Sequence, residues 1–68
     1  MYKAVERAIK RIARRVEKET GSNIEDFLYE ASYNYEYDDD GNKATCDWII
    51  NGLENEADNF IRFKEENV

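Results

Sequence analysis

The run from Ala31 to Ile50 constrains this chain more than any other segment. It opens with a Tyr-x-Tyr-x-Tyr alternation, passes through Asp38-Asp39-Asp40-Gly41, and ends on Trp48-Ile49-Ile50. Asp40-Gly41 suits the positive φ angles of a two-residue type I′ turn. Folding there sets Tyr37 opposite Ala44, Tyr35 opposite Cys46, Tyr33 opposite Trp48 and Ala31 opposite Ile50. Side chains alternate with a period of two, so those eight residues share one face. Ser32, Asn34, Glu36, Thr45 and Asp47 take the other, with Ile49 its apolar exception. Asp38 meets Lys43 beside the turn as an opposite-charge pair. Turn chemistry, alternation and cross-strand matching agree, and they predict an antiparallel β-hairpin over residues 32–50.

Helical periodicity flanks this segment. Tyr2, Val5, Ile9, Ile12, Ala13 and Val16 recur at spacings of three and four, which predicts a helix over 2–20 closed by a left-handed cap at Gly21. Ser22-Asn23-Ile24-Glu25 reads as a capping box opening a second helix over 23–31, with Ile24, Phe27, Leu28 and Ala31 inward. Asn51-Gly52-Leu53-Glu54 reads as another start signal, for a helix over 52–65 whose inward stripe is Leu53, Ala57, Phe60, Ile61 and Lys64. Acidic residues at its end oppose the helix dipole, so Glu65-Glu66-Asn67-Val68 is expected to fray.

The expected architecture is α+β, one small domain ordered α-α-β-β-α with the aromatic face of the hairpin packed on the helices. A second reading extends the last helix back to about Ala44. It gathers Cys46, Ile49, Ile50 and Leu53 on one arc, but leaves Trp48 outside it and the tyrosines unpartnered.

A chain of 68 residues lies near the lower size for independent folding. One cysteine allows no internal disulfide, and the absence of histidine removes His-containing zinc sites. Cys46 sits on the expected apolar face, where a core thiol is the ordinary role. No stretch approaches the ~20 apolar residues of a membrane span, so a soluble, cytoplasmic protein with no membrane partner is expected.

Charge is segregated. Residues 1–21 carry seven basic and three acidic side chains, a net of +4, whereas 22–68 carry three basic and thirteen acidic, a net of −10. The acidic body presents Glu36, Asp38, Asp39, Asp40 and Asp47 from the hairpin and Glu54, Glu56 and Asp58 from the last helix. Such carboxylates fit the Lys/Arg surface of a nucleic-acid-handling protein, using the attraction that surface has for phosphates. Tyr35 and Tyr37 near the hairpin's distal end add aromatic contact area. An acidic surface also simply keeps a small domain soluble.

In general character (small, acidic, tyrosine-rich and without a catalytic constellation) the chain resembles inhibitors that phages and mobile elements direct at host defence nucleases, anti-CRISPR proteins and DNA mimics among them. No motif carries the resemblance. It implies a non-enzymatic protein that binds a basic protein surface stoichiometrically.

The alternative uses Lys3, Arg7, Lys10, Arg11, Arg14 and Lys18, which project from one face of the first helix with Arg15 on its shoulder. That stripe suits nucleic acid, an acidic protein, or a second copy of the chain in a homodimer. The net −10 of the remainder opposes a polyanion, which ranks nucleic acid below a protein partner. No helix-turn-helix or ribonucleoprotein aromatic motif accompanies the stripe.

Glu36-x-Asp38-x-Asp40-Gly41, with Asp47 at position twelve, superficially follows an EF-hand loop. It departs at positions one, eight and twelve, where Glu36, Lys43 and Asp47 stand, and strands flank it where helices are needed; no metal or cofactor is expected. Tyr33, Tyr35, Tyr37 and Trp48 read as a core cluster rather than a base-stacking platform. No carboxylate pair is singled out for acid–base work, so no catalytic residue is expected.

Overall fold

The computed structural model describes residues 2–67. Three α-helices make the fold: α1 (Lys3–Thr20), α2 (Glu25–Ser32) and α3 (Cys46–Glu66), with a 3-10 turn at Tyr33–Tyr35 continuing α2. Among the described residues there is no β-strand, only one isolated antiparallel bridge between Tyr37 and Lys43. The expected α+β architecture is therefore corrected to an all-helical one. The hairpin over 32–50 is not formed, and the reading that carries the last helix back towards Ala44 matches the chain.

Three local causes account for the correction. The first is the turn itself. Gly41 donates its N–H to the Asp38 carbonyl at 3.0 Å, and Gly41 alone in the loop takes a positive φ, of 80°. A type I′ turn needs positive φ at Asp40 as well, and no non-glycine residue among the described residues has one. The chain instead turns through Asp39-Asp40-Gly41, the three-residue loop that ends on a left-handed glycine. Asp38 Oδ1 locks it by accepting from the N–H groups of Asp40 at 2.9 Å and Asn42 at 3.0 Å. Tyr37 then pairs with Lys43 and not with Ala44, a one-residue slip that exchanges the two faces of any longer ladder.

The second cause is a helix start at Thr45, whose Oγ1 accepts from the Trp48 N–H at 3.2 Å. Asp47 lies in the first turn of α3, where a carboxylate complements the dipole. The third is Gly52. It stands inside α3, not at its start, and the Tyr35 ring packs directly on it.

α1 follows its stripe. Val5, Ile9, Ile12 and Val16 are fully buried, and Gly21 closes the helix at φ 77° with its N–H on the Glu17 carbonyl at 2.7 Å. Burying each such aliphatic side chain stabilises by about 1.5–3 kcal/mol. Leu28 of α2 and Leu53 of α3 complete the core, with Ile24, Ala44, Ile49 and Ala57 around them. α2 starts at Glu25 without the Ser22–Glu25 box; Asn23 Oδ1 accepts the Glu25 N–H at 2.9 Å in its place. α3 continues through Glu66, where fraying was expected, and Asn67 caps it by donating its side-chain amide to the Phe63 carbonyl at 2.7 Å. Val68 lies outside the described residues.

Arg11 meets Glu54 at 3.0 Å and Arg15 meets Asp58 at 2.6 Å. One turn forward on α1 is thus one turn forward on α3, so the two helices run parallel, with α2 and the loop 36–45 as the return. Both N-termini consequently lie at the same end of the molecule, beside the 3-10 turn and the loop.

Candidate functional site

This loop end is where the exposed chemistry gathers. Four of the six exposed large apolar side chains among the described residues, Tyr2, Tyr33, Tyr37 and Trp48, belong to the segments that meet there. Tyr33 and Tyr37 are each 64% exposed and Trp48 37%, which corrects their expected place in an aromatic core. Because the 3-10 turn extends α2, the odd-numbered tyrosines do not share a strand face. Tyr35 turns inward, and Tyr33 and Tyr37, four residues apart, line a common groove with Tyr2. No local period signals this pairing, since Tyr33 lies in the 3-10 turn and Tyr37 beyond it, bridged to Lys43.

The groove is open, about 530 Å³ in volume, and floored by Val5, Ala44 and Ile49. Glu36 and Lys43 stand on its rim. The Lys43 ammonium lies over the Tyr2 ring, 5.8 Å from its centroid, a cation–π contact already made within the chain. Ser32, buried at the groove wall, is satisfied by donating its hydroxyl to the Tyr29 carbonyl at 2.6 Å.

The eight carboxylates singled out by sequence divide sharply. Glu54 and Asp58 are held by Arg11 and Arg15 across the α1–α3 seam. Glu56 accepts the Tyr35 hydroxyl at 2.8 Å. Asp38 is committed to its own loop backbone. Glu36, Asp39, Asp40 and Asp47 are exposed and make no ion pair among the described residues. These four lie on the loop and the first turn of α3, beside the exposed tyrosines.

The basic set divides too. Arg11 is engaged with Glu54, and Arg15 is shared between Glu19 at 3.5 Å and Asp58. All these partners are solvent-exposed, so each pair contributes only about 0.2–1 kcal/mol. Lys3, Arg7, Lys10, Arg14 and Lys18 are exposed and without an ion-pair partner among the described residues. They form a stripe of about 22 Å along the outer face of α1.

The titration of Tyr35 is displaced. Burial pushes its pKa above the ordinary 10.0, and the hydrogen bond and negative charge of Glu56 push the same way. Its ring packs against the core and its hydroxyl is committed to Glu56. Cys46, the first residue of α3, is half-buried against the core. Among the described residues no group of three or more Asp, Glu or Cys side chains is placed to hold a metal ion, and no helix is long and apolar enough to cross a membrane.

Comparison with protein-family models, with curated proteins and with solved structures gave no match to this chain.

Proposed function

We propose that this chain is a non-catalytic interaction protein whose loop end docks on a basic surface of a nucleic-acid-handling protein and competes there with nucleic acid. The observation that carries the reading is the coincidence of four unpaired carboxylates, Glu36, Asp39, Asp40 and Asp47, with exposed Tyr2, Tyr33, Tyr37 and Trp48 at one end of the molecule. Aromatic side chains supply contact area at low entropic cost, and the carboxylates steer and orient the encounter. Glu54, Glu56, Asp58 and Asp38 support the fold instead, which narrows the docking surface from the whole acidic body to this end.

The test is capture of partners from lysate by the wild type and by an Asp39/Asp40/Asp47→Asn variant. The expected partner is retained by the wild type, lost by the variant, and released by excess duplex oligonucleotide. Equal capture by both baits, or retention in the presence of the oligonucleotide, overturns the reading.

A second reading is favoured by the five unpaired cations of α1, which suit a polyanion. Its test is anisotropy of a labelled duplex across a salt series. Contact through this stripe gives a log–log slope no steeper than about −4.5 for five phosphates, and Arg7→Glu with Arg14→Glu abolishes it.

A further inference from the structure

We propose that the groove between the 3-10 turn and the start of α3 seats an arginine side chain of the partner, its guanidinium stacked on Tyr33 or Tyr37 and paired with Glu36. The inference rests on the docking reading above and specifies what that end recognises.

Four features select this occupant. The floor of Val5, Ala44 and Ile49 is apolar, which suits the methylene stem of a long side chain. The volume of about 530 Å³ falls within the range of small-ligand clefts, with room for one such side chain and the backbone bearing it. Tyr2 is already covered by the Lys43 ammonium, while Tyr33 and Tyr37 carry no cation among the described residues. Glu36 is exposed beside them, with no ion-pair partner among the described residues.

Competing occupants fit less well. A purely aliphatic guest leaves Glu36 desolvated and unpaired. A phosphate or acidic guest meets the Glu36 carboxylate, and the cation that also lines the groove, Lys43, is held over the Tyr2 ring away from Tyr33 and Tyr37. Lysine offers a point charge that is strongly hydrated, whereas guanidinium is planar, weakly hydrated and able to bond a carboxylate through two parallel N–H groups.

The experiment is an NMR titration of the full chain with the peptides acetyl-Gly-Arg-Gly-amide, its lysine counterpart and its citrulline counterpart, a neutral isostere. The arginine peptide is expected to shift the amides of Tyr33, Glu36, Tyr37 and Ala44 saturably. Lysine is expected to bind several-fold more weakly, and citrulline at least tenfold more weakly. Glu36→Gln is expected to weaken the arginine peptide about tenfold while leaving the remaining amide spectrum in place, because the Glu36 side chain makes no ion pair among the described residues and its backbone carbonyl, which accepts from Ala44 at 2.8 Å, is kept. Equal binding of arginine and citrulline, shifts confined to Asp39, Asp40 and α3, or no saturable shift overturns the groove assignment. Partner capture that still depends on Asp39, Asp40 and Asp47 then leaves the docking end standing. Arginine-specific shifts with no captured protein overturn the partner reading and leave the groove as an arginine site.

Discussion

The phenol ring of Tyr35 packs on Gly52, so close that a Cβ built there would sit 2.6 Å from two of its ring carbons. A glycine in the interior of a helix costs about 1 kcal/mol relative to alanine. Here it opens the seat that lets the 3-10 turn pack on α3. The opposition of these two terms gives a prediction with a sign reversal. In the wild-type background Gly52→Ala lowers stability by about 1–2 kcal/mol, because overpacking outweighs the gain in helix propensity. In a Tyr35→Ala background, where the clash is gone, the same substitution raises stability by about 1 kcal/mol. Urea unfolding of the four variants measures the cycle, and equal effects in both backgrounds defeat the account.

The hydroxyl of the same tyrosine donates to Glu56 Oε1 at 2.8 Å. Burial first, then Glu56, raises its pKa in the folded chain above the ordinary 10.0. The folded state thus holds this proton more tightly than the unfolded state. Its contribution is complete below pH 10 and is lost as pH rises through the folded pKa. Thermal unfolding between pH 8 and 12 is expected to show an alkaline fall in Tm that is shallower in Tyr35→Phe. An identical fall in both proteins removes Tyr35 as its source.

The three consecutive aspartates have different duties. Asp38 Oδ1 accepts two backbone N–H groups, each bond worth about 0.5–1.5 kcal/mol, whereas the side chains of Asp39 and Asp40 make no bond within the fold among the described residues. Asp38→Ala is therefore expected to loosen the loop, with faster amide exchange at Asp40 and Asn42 and a fall in Tm of several degrees, about 4–8 °C per kcal/mol lost. Asp39→Asn and Asp40→Asn leave exchange unaltered. Any loss of partner binding in those two variants then reports contact and not folding.

Much of the helical skeleton was legible, and the reasons are particular. Val5, Ile9, Ile12 and Val16 satisfy one period over about three turns, longer than chance alternation survives, and Gly21 stands where a left-handed cap belongs. From 31 to 50 the signal is degenerate, since a short apolar run fits period 2 or 3.6 and only its partners decide. Tyr33, Tyr35 and Tyr37 alternate in sequence, yet Tyr35 alone goes inward, because a 3-10 turn and not a strand carries it. Aromatic character did not reveal burial, as apolar residues are permitted outside. The fate of the charges was hidden for another reason. That Glu54 and Asp58 face Arg11 and Arg15 follows only from the parallel register of α1 and α3, which no local pattern contains.

Thr45 decides between strand and helix, and it offers the most direct trial of the fold. Valine keeps its shape and matches or exceeds it as a strand former, but cannot accept the Trp48 N–H. If residues 44–50 paired with the tyrosine run, Thr45→Val would be neutral or stabilising. With Thr45 as the N-cap of α3, the substitution removes one orphan-donor contact and lowers stability by about 1 kcal/mol. Thr45→Asp restores an acceptor and adds a favourable charge at the positive end of the helix, so it is expected to match or exceed the wild type. Serine should fall near threonine. The order Asp and Thr above Val, read from chemical denaturation, belongs to a helix cap alone; the reverse order returns these residues to a strand and takes the placement of Tyr37, Lys43 and the groove with it.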